Sequence, residues 1–288
     1  MNNKINRKFS LITATFGRRE ALERLLKSLA EQQYKNYELI LIDMDPDDDV
    51  AALLQKYRSQ LTAVTLIKQP RIGLSRARNI GLRQASGDVI AFPDDDCWYP
   101  GDLLGQVNGD FDDHSEVAVL TGRVMDPAGK PVAGRFLKKS CPVNKFNLWC
   151  TSASVTIFVK SVVAKKVNGF DESLGVGAST RFLASEETDY LLRLLEAGAR
   201  INYEPEFLVY HPDPVQAFDD QAIKRAYEYG CGAGRVIKKH HYPLWFKLSV
   251  LLRPFMAALA WLLTARLKRS QFYFASLKGR IIGLLSPL

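Results

Sequence analysis

Phe92-Pro93-Asp94-Asp95-Asp96-Cys97-Trp98-Tyr99-Pro100 decides how the chain is read. Just before it, Asp88-Val89-Ile90-Ala91-Phe92 is apolar and partly β-branched, the pattern of a short buried strand. Three carboxylates follow at the strand's C-terminal end. In open α/β sheets, ligands bind outside the carboxyl ends of the strands. The three acids repel one another, and no basic residue stands inside the stretch. The simplest neutraliser is a hard divalent cation, Mg²⁺ or Mn²⁺, which keeps several waters and is completed by substrate phosphates. The stretch therefore predicts a metal–diphosphate site at Asp94, Asp95 and Asp96. The plain alternative is a solvated acidic turn.

Upstream, strands alternate with helices. Residues 9–15 read as a strand, and residues 20–32 repeat Leu at 22, 25, 26 and 29, one apolar helical face. A second strand, 37–43, ends in Asp43. A helix at 50–57, a strand at 63–67 and a helix at 72–85 lead to the strand before the acidic triplet. This alternation implies a parallel sheet with right-handed crossovers, so residues 9–100 read as a nucleotide-binding half. Asp43 and the triplet then lie along one sheet edge, where an acid can bond a ribose or a base; a turn cap is the alternative for Asp43. Arg76 and Arg78 on the third helix can clamp a diphosphate or form a solvated face.

Downstream the pattern changes. A strand is predicted at 117–121, a turn at 126–130, a basic irregular stretch at 134–147, a strand at 152–159 and a short helix at 162–167. A Gly-rich loop, 175–179, leads to Ser185-Glu186-Glu187-Thr188-Asp189, which has the form of a helix start with Ser185 as cap and acids in the first turn. A carboxylate there, partly desolvated over a pocket, can act as a general base; complementing the helix dipole is the alternative. Residues 201–210 are extended and deliver His211 past a strand end, where a neutral imidazole can ligate metal or be merely structural.

The net charge of +8 is unevenly spread. Residues 221–288 carry 12 Lys/Arg against Glu228 alone, +11, which leaves −3 for residues 1–220. At 47% hydrophobic and 24% charged, the composition is that of a globular chain. The N-terminus has no apolar stretch of signal-peptide type. The four cysteines lack zinc or CxxC spacing, so they read as free thiols in a reducing compartment. In the basic tail, Gly230, Gly232 and Gly234 read as a loop or helix break. Arg253-Pro254 interrupts the apolar run, and the longest uncharged stretch, 254–265, is too short to span a bilayer. Interleaved Trp, Phe, Leu, Lys and Arg over 243–282 suit a helix lying in a membrane interface. Packing on the rest of the chain or on a second subunit, as a homo-oligomer, is the alternative. The apolar content argues against nucleic acid as a partner.

The ordered motifs resemble the family 2 inverting glycosyltransferases with the GT-A fold, over about residues 9–212. Ala14-Thr15-Phe16-Gly17-Arg18 stands at the family's first-strand turn, Leu41-Ile42-Asp43-Met44-Asp45 resembles its Val-Val-Asp-Asp stretch, and Gly73-Leu74-Ser75-Arg76-Ala77-Arg78-Asn79-Ile80-Gly81 matches its Ala-Arg-Asn segment. Phe92 to Asp96 sits at the DxD position, Gly169-Phe170-Asp171-Glu172 matches Gly-Phe-Asp-Glu, and Glu186-Glu187-Thr188-Asp189 sits at the Glu-Asp motif. Gly17, Met44 and Glu187 depart from the usual Asn, Asp and Asp. The Gln-x-x-Arg-Trp segment of processive synthases is absent, which favours adding one sugar per encounter.

The resemblance implies an α/β GT-A domain over 1–220, with a nucleotide-binding half (9–100) and an acceptor-binding half (101–220). A helical membrane-associating segment follows at 221–288. It implies a nucleotide-sugar donor, UDP favoured, held by Thr15, Asp43, Arg76 or Arg78, Asp94 and Asp95. Asp96, Asp94 and His211 would hold Mn²⁺ or Mg²⁺. Glu187, with Glu186 and Asp189 as competitors, would deprotonate a hydroxyl of a glycan or lipid-linked acceptor, and a single displacement would invert the anomeric carbon. The expected place is the cytoplasm, peripheral at the inner face of the cell membrane, in cell-surface polysaccharide synthesis. A nucleotidyltransferase would need a Lys-bearing phosphate loop after the first strand, where this chain has Gly17-Arg18-Arg19. A non-catalytic nucleotide-sugar binder would lack the second acidic cluster, which is present here.

Overall fold

The computed structural model describes residues 5–132, 136–213 and 217–287. Part of the irregular stretch expected at 134–147 thus lies outside the described residues. The first half alternates as its sequence dictates: β1 (Phe9–Thr15), α1 (Arg19–Ala30), β2 (Tyr37–Asp43), α2 (Asp49–Tyr57), β3 (Val64–Lys68), α3 (Leu74–Gln84) and β4 (Val89–Ala91). These strands are parallel, in the order β3-β2-β1-β4. Central β1 and β2 are buried almost throughout, as parallel strands covered on both faces require. The leucine stripe of α1, at 22, 25, 26 and 29, is wholly buried against them. Each such leucine contributes about 1.5–3 kcal/mol of hydrophobic stabilisation.

The second half adds α4 (Leu103–Asp113), β5 (Val119–Met125), β6 (Cys141–Pro142), β7 (Phe158–Lys160), α5 (Ser161–Ala164), α6 (Glu186–Glu196) and β8 (Ile201–Tyr210). The sheet becomes mixed here. β7 inserts antiparallel between β4 and β5, β8 runs parallel to β5, and β6 closes the edge antiparallel to β8. The result is an eight-stranded, mainly parallel sheet, β3-β2-β1-β4-β7-β5-β8-β6, flanked by helices. The strand expected over 152–159 is shorter than its composition suggests. Residues Ser154–Thr156 form a 3-10 turn, because Thr156 Oγ1 bonds both the carbonyl (2.9 Å) and the N–H (3.3 Å) of Ala153.

By contacts the chain divides into two compact units. The first comprises Met1–Ile72, Arg76–Gly169 and Tyr190–Pro214 and holds the whole sheet. The second comprises Gly73–Ser75, Phe170–Asp189 and Val215–Leu288. It contains α7 (Asp220–Lys239), α8 (Leu244–Leu263) and α9 (Leu267–Leu285).

Two sequence expectations fail in the second unit. The glycine triplet does not break a helix; it lies inside α7, which is capped by the Asp219 carboxylate on Ala222 N at 2.7 Å. Gly230 and Gly234 let α7 approach α9 at Gly279 and Gly283. A Cβ at Gly279 would lie 2.1 Å from Tyr227 O. Close contact along two such stripes offsets the poor helix propensity of glycine. Nor does Arg253-Pro254 end the next helix: α8 runs 20 residues through Pro254. A proline cannot donate to the carbonyl four residues back, and Val250 O instead accepts from Arg280 Nη1 of α9 at 2.5 Å. Continuous α8 is thus long and apolar enough to cross a membrane by length and composition, where the sequence reading had it interrupted. Leu244, Trp245, Leu248, Leu252, Met256 and Leu263 on it are more than half exposed.

Candidate active site

In the first unit, two strand ends bring the metal-binding candidates together. Beyond β4 the chain turns through Asp94-Asp95-Asp96. The backbone of Trp98 then exchanges both hydrogen bonds with Tyr210, each 3.0 Å, at the end of β8, and the two rings stack at 5.7 Å. His211, the next residue, is fixed by its N–H to Met125 O at the end of β5 (3.0 Å). This bridge sets His211 Nε2 2.9 Å from Asp96 Oδ1. One ligand atom from each of Asp94, Asp96 and His211 lies within 4.8 Å of the others.

The surrounding cations do not come from the acidic stretch itself. Arg78, 1% exposed, reaches Asp94 Oδ1 with Nη2 at 2.7 Å, and Ser154 Oγ lies 3.4 Å from the other oxygen. Arg18 Nη1 bridges Asp96 Oδ2 (2.6 Å) and Asp95 Oδ1 (3.2 Å). Thr15 Oγ1, at the end of β1, donates to Asp95 Oδ2 at 2.9 Å. Burial, joined by repulsion from Asp96 and Asp94, raises the Asp95 carboxyl to about 6 against Arg18 and Thr15. At Asp96, burial acts upward but is outweighed by His211 and Arg18, and the carboxyl falls below its ordinary range. At His211, burial lowers the imidazole but Asp96 more than restores it.

These residues fit a divalent cation. Asp96 Oδ1 is buried without a well-aligned hydrogen bond; its 2.9 Å neighbour His211 Nε2 is a close polar contact. His211 Nδ1 faces Pro212 O at 2.6 Å. A carbonyl only accepts, so Nδ1 carries the proton. In the neutral ring with its proton on Nδ1, Nε2 is the nitrogen that would ligate a metal, an arrangement usual for histidine ligands. Two carboxylate oxygens and an imidazole nitrogen suit Mn²⁺ better than Mg²⁺, which prefers oxygen alone.

Asp43 is wholly buried at the end of β2, in register with Thr15 on β1 and Lys68 on β3. Its Oδ2 takes Lys68 Nζ at 2.9 Å and its Oδ1 accepts from Asp45 N at 2.9 Å. Arg76 lies on the exposed face of α3, apart from Arg78. Arg18 and Lys68 were not singled out from the sequence as site residues. For Lys68 a signal existed, because parallel pairing puts the end of the third strand beside the end of the second.

The second unit holds Glu186, Glu187 and Asp189 on the first turn of α6. Ser185 precedes them in the left-handed region, φ +69°, rather than the extended conformation usual for a cap. Glu186, Thr188 and Asp189 are buried, and Glu187 is the most accessible of the four. Asp189 Oδ1 meets Lys239 Nζ and His240 Nε2, each at 2.8 Å. The Gly-rich loop packs over Gly73–Ser75. Leu74 N donates to Val176 O at 2.9 Å, and Ser75 Oγ donates to Leu174 O at 2.6 Å.

The family model described as glycosyl transferase family 2 matches residues 10–159, just over half of the chain. The poly(ribitol-phosphate) beta-N-acetylglucosaminyltransferase TarS of Staphylococcus aureus is 28% identical over 128 residues, 43% of this chain and 22% of that protein. The pre-mycofactocin glycosyltransferase of Mycobacterium tuberculosis is 30% identical over 225 residues, 73% of this chain and 45% of that one. The chain thus spans less than half the length of both curated relatives. Among solved structures, the mannosyltransferase PcManGT of Pyrobaculum calidifontis, in complex with GDP-Man and Mn²⁺, superposes with a TM-score of 0.65 at 18% identity, over 96% of this chain and 87% of that one. That likeness is one of fold, the GT-A arrangement of a mixed α/β sheet. The matched segment runs from β1 through the acidic turn to β7, and the chain belongs to glycosyl transferase family 2.

Proposed function

We propose that this protein is a metal-dependent inverting glycosyltransferase. It moves one sugar from a nucleotide-sugar donor, UDP-linked by preference, to a hydroxyl of a glycan or lipid-linked acceptor in cell-surface polysaccharide synthesis. The observation that carries the reading is the donor set of Asp94, Asp96 and His211 at the carboxyl ends of the strands. The donor preference is supported by the TarS structure solved with UDP-GlcNAc, and the need for metal by PcManGT with GDP-Man and Mn²⁺.

In this reading Asp94, Asp96 and His211 hold Mn²⁺ or Mg²⁺. When bound, the ion supplies Lewis-acid stabilisation of the departing diphosphate. Arg78 holds Asp94 in place through its 2.7 Å ion pair, and Arg18 offsets the charge of Asp95 and Asp96. Asp43 and Thr15 hold the nucleoside end, with Asp43 accepting from a base N–H. Glu187 deprotonates the acceptor hydroxyl, which attacks the anomeric carbon opposite the leaving group, so configuration inverts through an oxocarbenium-like state. Asp189 is the weakest candidate for that base, because its carboxylate is buried and bound by two basic side chains.

The exposed apolar residues of α8, with no acid anywhere in 243–288, support attachment to an anionic membrane surface at the cytoplasmic face. A thermal-shift screen with UDP, GDP, dTDP and CMP, each with and without Mn²⁺, tests the donor reading. One nucleotide stabilising the protein only with Mn²⁺ is the expected result; no shift with any of them would count against it. Sedimentation with phosphatidylglycerol vesicles in low salt, lost in Leu248→Glu/Leu252→Glu, tests attachment. Undiminished sedimentation of that variant would rule this surface out.

A further inference from the structure

Within the second unit, α7 and the residue that follows it touch the segment carrying the acidic motif at four points. Gly232 lies against Ala184, where a Cβ would come within 2.3 Å of its carbonyl oxygen. The Arg235 guanidinium stands 5.2 Å from the Phe182 ring centroid. Lys239 Nζ reaches both Asp189 Oδ1 (2.8 Å) and Asp171 Oδ2 (2.7 Å). His240 Nε2, just past the helix end, meets Asp189 Oδ1 at 2.8 Å. Asp171 belongs to the Gly-Phe-Asp-Glu stretch, and its other oxygen accepts from Ser173 N and Oγ at 3.0 and 2.7 Å. One ammonium therefore ties two separate motifs together.

Burial explains why these contacts matter. The Asp189 carboxylate is 0% exposed and His240 is 4% exposed. A buried charge is tolerated only where it is paired and hydrogen-bonded, and removing one partner leaves the other uncompensated. Between the contacts at Ala184 and Asp189 sits Ser185 at φ +69°. A non-glycine residue persists in the left-handed region only where its surroundings over-determine it. Contacts on either side, both from α7, supply that constraint.

We infer that Lys239 and His240 are positioning residues. By clamping Asp189 from α7 they fix the first turn of α6, and with it the direction of the Glu187 carboxylate. The catalytic consequence rests on Glu187 being the base; the clamp does not. On this account α7 is part of the catalytic machinery, and Asp189 serves as its anchor rather than as the base.

The test uses the whole 288-residue chain: wild type, His240→Ala, Lys239→Met, Lys239→Arg, Asp189→Asn and Asp189→Asn/His240→Ala. UDP-GlcNAc and GDP-mannose with MnCl₂ serve as donor probes. Nucleotide release and amide hydrogen exchange are read together. In His240→Ala and Lys239→Met, exchange at 184–190 should rise about tenfold or more while 89–96 stays unchanged. In the same variants kcat should fall about tenfold, with donor KM within twofold. Lys239→Arg should recover most of kcat, and the double variant should fall no further than Asp189→Asn alone. Unchanged exchange at 184–190 in folded variants, or a loss expressed in donor KM alone, would overturn the inference. If Lys239→Met fails to fold, His240→Ala and Lys239→Arg still decide it. Full turnover by Glu187→Gln would overturn the base assignment, whereas exchange at 184–190 decides the clamp independently.

Discussion

The chain carries two acidic constellations, and they are built by different means. Asp94, Asp95 and Asp96 crowd one turn at the end of β4, and their balancing groups, Arg18, Arg78 and His211, arrive from the turn between β1 and α1, from α3 and from just past β8. Asp94, Asp96 and His211 stay partly exposed, with their ligand atoms converging. Glu186, Glu187 and Asp189 occupy a helix start. One of the three, Asp189, is sunk completely and held by Lys239 and His240, some fifty residues further along the chain. The first arrangement keeps carboxylates available to an ion. The second gives up one carboxylate to hold its neighbours still. On the proposed reading, acidic residues of one chain serve as ligands in one unit and as an anchor in the other.

Substitutions separate the two roles, beginning with the largest effect. Asp96→Ala should abolish transfer, by at least roughly 10³-fold, and should remove metal-dependent nucleotide binding without altering the fold, as read by circular dichroism. Glu187→Gln should cost roughly 10²–10⁴-fold in kcat while nucleotide binding survives; loss of both together would erase the distinction between the two constellations. His211→Gln should weaken Mn²⁺ by roughly 10–100-fold, measured as the metal concentration giving half-maximal activity, with saturating metal restoring turnover.

The remaining effects concern stability. Gly279→Val forces a side chain against Tyr227 O and should cost about 1–3 kcal/mol, seen as a lower midpoint in urea. Glu38→Gln in the first unit should cost less, about 1 kcal/mol near neutral pH. Burial pushes the Glu38 carboxyl up, but Lys8, Ser10 and Ser86 outweigh it and hold it at about 2. A carboxyl depressed in the folded state stabilises above its ordinary range near 4.5, and that contribution is lost as pH falls toward 2. The difference between wild type and Glu38→Gln should therefore shrink between about pH 4.5 and 2. A gap that persists at pH 2 would refute this origin.

Legibility in the sequence differed between the two units for the same physical reasons. The periods of Leu22, Leu25, Leu26 and Leu29 and of the strands from Phe9 to Ala91 report local burial, and each element of the first half forms within a residue or two of its expected place. The place of the acidic turn at a strand end was legible because the apolar run before it reads as a short buried strand. The proximity of Asp96 to His211 was not derivable from spacing, since it depends on the Trp98–Tyr210 bridge between distant strands. In the second unit local rules misled. Gly230, Gly232, Gly234 and Pro254 are helix breakers by propensity, but tertiary contacts with Gly279, Gly283, Ala184 and Arg280 override it. Lys239 and His240 passed as members of a basic tail, because only the fold reveals that they meet Asp189.

The most direct test of the donor site is a manganese titration followed by electron paramagnetic resonance of the free ion, on wild type and Asp96→Ala, with UDP or GDP present and absent. The account predicts about one Mn²⁺ bound per wild-type chain, tightened by one of the nucleotides, and none bound by Asp96→Ala over the same range. Equal manganese binding by wild type and Asp96→Ala, or nucleotide binding indifferent to manganese, would contradict it.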